Sequence, residues 1–369
     1  MKNFSEIKNI IQKYGLKPAS QRELPLLTLS CIAKGYTLLL RGSLGFSYEA
    51  IAAIGGKGKF HTLLNEEHVA KETGSFVEKN KKKIEKIAFV KAKQIYSDIS
   101  SKMEELDILL KNNPKKCLET IIGFYPAYML SIGIYNCFWR YIGNDVNKSN
   151  LSSADIEKIS IDRDKIAKIY PQIEETIKKS CQLIGEQKKI DGDLLRYFTF
   201  DEINHFFKED NLKKKTLKEL TLRREGYFYT YVENKSEEII LNKTTISRIK
   251  EQFFSVENTG IKEIKGFVAF KGNAKGGVYN LQNHNLSDSG KFKDGDILVT
   301  SMTHPKDIML IKKSSGIITD EGGILCHAAI VSRELKKPCI IGTKIATKIL
   351  NDGDIVSING DSGIIQILK

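Results

Sequence analysis

Residues 316–343 constrain this 369-residue chain more than any other stretch. They begin Gly316-Ile317-Ile318-Thr319-Asp320-Glu321-Gly322-Gly323 and run through Ile324-Leu325-Cys326-His327 into Ala328-Ala329-Ile330-Val331-Ser332-Arg333-Glu334-Leu335. They close with Pro338-Cys339-Ile340-Ile341-Gly342-Thr343. A short apolar, β-branched run predicts a buried strand at 316–319. Paired glycines then let the backbone turn tightly and let a ligand approach it closely. Residues 328–335 have helix-forming content, and Ile330, Val331 and Leu335 are expected to share one buried face. His327 therefore falls in the first turn of a helix. There the unpaired N–H groups and the positive dipole end favour an anionic group. A neutral imidazole is a competent nucleophile near pH 7. Strand, glycine turn, histidine and helix together suit a histidine that takes up a phosphoryl group and hands it on.

The same residues resemble the mobile, swivelling phosphohistidine domain of phosphoenolpyruvate-utilising enzymes. That family includes phosphoenolpyruvate synthase, pyruvate phosphate dikinase, rifampicin phosphotransferase and enzyme I of the sugar phosphotransferase system. The resemblance rests on Thr319, Gly322, Gly323, His327, Ala328, Ala329, Ile330, Arg333, Glu334, Leu335, Pro338, Gly342 and Thr343. It extends to Gly295–Thr300 with Thr303 and Pro305, to an opening turn at Gly272, Ala274 and Gly276, and to a closing hairpin over 352–363. It covers about residues 260–369. It implies that His327 is the phosphoryl-accepting nucleophile. Thr319, Gly322, Gly323, Cys326, Ala328 and Arg333 would support the phosphate or the loop. Arg333, six residues beyond the histidine, would reach a donor or acceptor more easily than the phosphate on His327. One position departs from the family pattern. Leu325 stands where the family usually has threonine, which removes a hydroxyl and any threonine-based control there. Cys326 reads as a small packed residue.

Composition bounds the remainder. Hydrophobic residues make up 41% and charged residues 28%, as in a globular protein large enough for two cores. The six cysteines have neither paired nor metal-ligand spacing, so no disulfide frame or zinc site is expected. The N-terminus lacks the apolar core of a signal peptide, and the expected location is the cytoplasm. The net charge of +13 divides into +9 before residue 260 and +4 after it. Lysine runs interleaved with glutamate read as solvated helix faces, so no nucleic-acid partner is expected. The uncharged run 120–139 reaches membrane-spanning length. Its proline, glycines and tyrosines fit buried helices broken near Pro126 better, and no membrane partner is expected.

The expected fold class is α+β and multidomain. A mostly helical domain over 1–255 precedes a swivelling β/β/α domain over 260–369, with a hinge near residues 257–260. One long helix is expected over 76–110, ending at Asn112-Asn113-Pro114. A second, weaker resemblance covers Asp193–Ile203 and Arg223–Tyr227, a segment preceding the phosphohistidine domain in synthase-like relatives; Thr199 there is a sensible helix N-cap.

No ATP-grasp domain, P-loop or phosphoenolpyruvate-binding barrel is recognisable in the chain. A swivelling domain needs a donor site that transfers the phosphoryl group in line, usually on magnesium. No tightly bound cofactor is expected in this chain, and ATP and Mg²⁺ are expected at an ATP-grasp partner protein acting in trans. The small-molecule acceptor would sit on the helical domain, with Arg41, His61, His68, Trp139, Arg140 and Tyr141 as candidate contacts, each competing with a packing role. Two other readings remain: a phosphoenolpyruvate-dependent carrier or regulator that passes phosphate to a protein, and a non-catalytic binding module.

Overall fold

The computed structural model describes residues 4–80, 84, 88–142, 152–209, 212–233, 237–254, 260–284, 291–323 and 326–368. They fall into two compact units that part between Phe254 and Ser255. The expected hinge residues 257–259 and the position of Leu325 lie outside the described residues.

The first unit begins with α1 (Phe4–Lys13), β1 (Lys17–Arg22) and α2 (Leu26–Lys34), then a π-helical turn, Gly35–Leu39, into α3 (Leu40–Leu44). The hairpin β2 (Ala50–Gly56) and β3 (Lys59–Leu64) follows. Then come α4 (Glu66–Asn80), α5 (Val90–Ser100), α6 (Met103–Asn112), α7 (Pro114–Ile142), α8 (Ser153–Ala167) and α9 (Tyr170–Lys188). The unit ends with α10 (Phe200–Glu209), α11 (Lys214–Glu225), β4 (Tyr227–Val232), β5 (Glu238–Ile240) and α12 (Lys243–Phe254).

This unit is mostly helical, but it also holds a five-stranded antiparallel sheet in the order β1-β3-β2-β4-β5. The helical reading of 1–255 did not anticipate it. β2 is rich in alanine, the best helix former, and its strand state is decided by pairing with β4, whose Tyr-Phe-Tyr-Thr-Tyr-Val is strongly strand-forming. Lys57 and Gly58, both at positive φ (52° and 74°), form the two-residue turn between β2 and β3. That is the type I′ geometry that matches strand twist. Ala50, Ala52 and Ile54 of β2 and Phe228 of β4 pack with Ile7 and Ile11 of α1 and Ile246 and Ile249 of α12.

Two helical expectations change. Residues 76–110 are not one helix: turn residues Ser101 and Lys102 separate α5 from α6. Residues 120–139 are not broken at Pro126: α7 runs through it unbroken for 29 residues. Proline costs its helix a hydrogen bond, but Phe124, Tyr125, Tyr128 and Met129 around it are all buried. A Cβ on Gly35 would lie only 2.7 Å from the Pro126 carbonyl oxygen, so the π-helical turn packs directly on this part of α7. α7 is long and apolar enough to cross a membrane, yet 72% of its most apolar window is buried inside the protein, as in a core helix. Asn113 caps its start by accepting from Lys116 N–H at 2.9 Å, and Pro114 occupies the first turn, where its missing donor costs nothing.

The second unit contains β6 (Glu263–Lys265), β7 (Phe267–Phe270), β8 (Asn273–Asn280), β9 (Ile297–Thr300), α13 (Ile308–Lys313), β10 (Gly316–Thr319), α14 (His327–Glu334), β11 (Cys339–Ile341), α15 (Ala346–Ile349), β12 (Ile355–Asn359) and β13 (Ile364–Ile367). They build one eight-stranded sheet, β6-β13-β12-β8-β9-β10-β11-β7. Ala274 and Gly276 lie within β8 rather than in a turn; only Gly272, at φ +119°, turns the chain there. β8 to β11 run parallel and the flanking strands antiparallel. Parallel strands are covered on both faces, so their residues read as continuous apolar runs. Alternation sorts them: Ile297, Val299, Ile318 and Ile340 enter one core, with Ala346 and Ile349 of α15. Leu298, Ile317, Cys339 and Ile341 enter the other, with Ala328, Ala329 and Val331 of α14.

Candidate functional site

The carboxyl ends of β9, β10 and β11 are neighbours, and open parallel sheets place ligands at such ends. The loops that leave them stay paired beyond the strands. Asp320 N–H donates to the Thr300 carbonyl at 3.1 Å and Glu321 N–H to Ser301 at 2.8 Å. Thr343 N–H donates to Thr319 at 3.1 Å and Lys344 N–H to Asp320 at 3.1 Å. Buried Asp320 ties two loops together: its carboxylate accepts from the Thr343 hydroxyl at 2.7 Å and from Thr347 N–H and hydroxyl.

His327 sits on this platform as the first residue of α14. Cys326 is the N-cap, and its Sγ accepts from Ala329 N–H at 3.4 Å. Thr303, buried in the loop after β9, places its Oγ1 2.9 Å from His327 Nδ1. Thr303 entered the sequence reading only as part of a turn pattern. Nothing local in the sequence ties it to a histidine 24 positions away, and sheet order alone brings them together.

The supporting residues sort as follows. Thr319 is buried, and its hydroxyl donates to the Glu321 carbonyl at 2.6 Å, so it braces the turn. Gly322 is at φ +114°, and a Cβ there would meet Cys326 Sγ at 2.8 Å. That glycine is required twice, by backbone and by space. Gly323 shares the turn, and its carbonyl accepts from Cys326 N–H at 2.8 Å. Ala328 is a core residue. Arg333 is exposed in the last turn of α14, the far end from His327. The buried face of the helix is Ala328, Ala329, Val331 and Ser332; Ile330 and Leu335, expected there, are only half-buried. Asp307, fully buried, accepts from His304 N–H at 2.7 Å through Oδ2, and its Oδ1 has no hydrogen-bond partner among the described residues.

In the first unit, the six candidate contacts each have a place in the fold. Arg140 pairs with Glu66 at 2.8 Å and lies over the Tyr48 ring. Tyr141 packs where Gly74 of α4 leaves room for its ring. His68, on α4, donates its backbone N–H to Asn65 at 3.0 Å. The Trp139 ring lies 3.8 Å beneath the Arg163 guanidinium. Arg41 pairs with Glu233, and the His61 ring packs on Phe254. These contacts all lie within the first unit.

The second resembling segment builds a helix cap. Thr199 and Glu202 form a reciprocal cap at the start of α10: Thr199 N–H donates to the Glu202 carboxylate at 2.9 Å, and Glu202 N–H to Thr199 Oγ1 at 3.4 Å. Buried Arg223 clamps Glu202 through both oxygens, and also reaches Glu219 at 2.6 Å and the Tyr197 carbonyl at 3.2 Å. Burial opposes ionisation of Glu202, but these contacts hold its carboxyl below the ordinary value. Glu237 is the reverse case. Burial first, then the nearby Asp201 charge, push its carboxyl up to about 7. The Thr199 side chain opposes the shift only in part.

No two of the six cysteines, all described, are joined in a disulfide. Among the described residues no three His, Cys, Asp or Glu side chains converge as a metal site would.

Residues 292–363 match the model of the PEP-utilising enzyme mobile domain. A probable phosphoenolpyruvate synthase of Archaeoglobus fulgidus is 45% identical over 125 residues, 33% of this chain and 16% of that protein. The phosphoenolpyruvate synthase of Pyrococcus furiosus is 41% identical over 130 residues, 34% of this chain and 16% of that protein. An uncharacterized phosphotransferase of Bacillus subtilis, YvkC, is 29% identical over 271 residues, 70% of this chain and 31% of that protein. The chain thus spans less than a third of the length of each of these relatives. A solution structure of Enzyme I (nEIt) aligns with 74% of this chain and 80% of its own, at 14% identity and a TM-score of 0.21, too low to speak for the fold. The histidine-bearing turn lies inside the matched residues, so the C-terminal unit carries the match to the mobile domain of the PEP-utilising enzyme family.

Proposed function

We propose that this chain is the carrier and acceptor-binding part of a phosphotransferase, with His327 as the phosphorylated residue. The observation that carries the reading is the contact between Thr303 Oγ1 and His327 Nδ1 at a helix start in the matched domain. When Nδ1–H donates to Thr303, the lone pair lies on Nε2, which becomes the nucleophile. Nε2 attacks phosphorus in line, the N–P bond forms, and the P–O bond to the leaving group breaks. The phosphoryl oxygens then face the positive end of α14. In the second half-reaction an acceptor hydroxyl attacks phosphorus, the O–P bond forms as the N–P bond breaks, the electron pair returns to Nε2, and the hydroxyl proton is released to solvent. The donor is ATP bound with Mg²⁺ on a separate ATP-grasp protein, and the acceptor is held by the first unit. Movement of the mobile domain separates the two half-reactions.

The test is acid-labile, base-stable labelling of the purified chain. β-labelled ATP with an ATP-grasp partner and labelled phosphoenolpyruvate are supplied separately, beside His327→Ala. Label that disappears in the variant establishes the carrier, and the effective donor distinguishes the ATP-driven from the phosphoenolpyruvate-driven reading. Absence of label from both donors, with an active partner, refutes the carrier and leaves a binding module.

A further inference from the structure

A cleft of about 600 Å³ opens in the first unit between α5 and α8, within the size range of small-molecule sites. Its wall combines an anchored carboxylate with uncommitted polar groups. Asp162 of α8 is held by Lys93 of α5 at 2.8 Å and lies 3.4 Å from the Tyr135 hydroxyl of α7, so its position is set from two other helices. Farther along the same cleft lie Tyr96, Ser97 and Ser100 of α5 and Lys165 of α8. The Ser97 and Ser100 hydroxyls and the Lys165 ammonium have no hydrogen-bond or ion-pair partner among the described residues. Two lysines against one aspartate leave the lining with a single positive charge. Both helices end beside it, α5 at Ser100 and α8 at Ala167, and helix C-termini carry partial negative charge. Lys165, the lysine not engaged by Asp162, offers a partner to one negative charge, and the helix ends weigh against a second. The hydroxyls and Asp162 offer donors and acceptors in the alternation that several neighbouring ligand hydroxyls require.

We propose that this cleft binds a small polyhydroxylated monoanion of the sugar-acid class. The inference rests on the carrier reading only in making such a compound the acceptor; the binding itself is independent of His327. Lys165 takes the carboxylate, Ser97 and Ser100 exchange hydrogen bonds with the hydroxyls, and Asp162 accepts from one of them.

Isothermal titration of the full chain with gluconate tests this, beside glucose, pyruvate and inorganic phosphate. Gluconate is expected to bind saturably, at least tenfold more tightly than neutral glucose or hydroxyl-free pyruvate, and phosphate is expected not to compete. Lys165→Met and Ser97→Ala, both exposed positions, are expected to weaken gluconate about tenfold and threefold. His327→Ala is expected to bind it unchanged. No saturable binding at millimolar gluconate, equal binding of glucose, competition by phosphate, or indifference to both cleft substitutions would overturn the assignment. Gluconate binding in a chain that no donor labels would retain the cleft and remove the carrier.

Discussion

Replacing Thr303 with valine deletes one hydroxyl and little else. Thr303 is 6% exposed, and valine fills nearly the same volume, so no cavity opens. What is lost is the 2.9 Å contact to His327 Nδ1. A neutral hydrogen bond is worth about 1 kcal/mol net, and a half-buried ring nitrogen left without that partner raises the loss to about 2 kcal/mol. If the contact selects the reactive tautomer and orients the ring, that energy appears in the barrier, as a roughly 5- to 30-fold slower phosphorylation of His327. The assay is single-turnover labelling between pH 6 and 8, with ¹⁵N NMR of the imidazole reporting the tautomer. Thr303→Ser keeps the oxygen and is expected to recover most of the rate. A valine variant with the wild-type rate and an unchanged tautomer signature would refute the argument, because the hydroxyl would then be packing only. A variant that loses stability without a tautomer change would count against it in the same way.

Two further outcomes are expected. Gly322→Ala forces a Cβ to 2.8 Å from Cys326 Sγ at φ +114°. Backbone strain and displacement of the cap cost about 2–3 kcal/mol, so the melting temperature of the second unit should fall by roughly 10 °C and labelling should fail; an unshifted transition in differential scanning calorimetry would show that the turn relaxes. Glu237 has its folded pKa raised to about 7 from an ordinary carboxyl value. The folded state therefore binds more protons than the unfolded one, and this group's contribution to stability declines as pH rises from about 4.5 through 7. Glu237→Gln removes the penalty and should raise the melting temperature at pH 8 but not at pH 5; a pH-independent difference would contradict the shift.

Much of the second unit was legible because its signals are local. A buried parallel strand must be apolar throughout, a turn at φ +114° must be glycine, and a histidine just past a cap must start a helix; each constraint sits within a few residues of the next. The buried face of α14 was misassigned at Ile330, because a helix that packs on a sheet at one end of its strands buries small residues that periodicity passes over. In the first unit the Thr199 N-cap was legible for the same local reason, and the structure added Glu202 as its reciprocal partner. The five-stranded sheet was not: alanine-rich β2 has helical propensity, and its state depends on a partner strand more than 170 residues later. α7 was expected to break at Pro126, but burial of Phe124, Tyr125, Tyr128 and Met129 around that proline outweighs the missing hydrogen bond.

The sequence by itself determined the histidine-bearing motif around His327, the glycine turn that precedes it and the alternation that buries its strand. Each is set by the conformational and solvation limits of adjacent residues. Only the tertiary structure decided that Thr303 meets the imidazole and that Asp320 ties its loop to those of Thr343 and Thr347. It also decided that Arg223 spends its charge on a helix cap, and that Asp162 and Lys93 meet across a cleft. Those contacts join residues far apart in the chain, and their energies exist only once sheet order and helix packing have brought the side chains together.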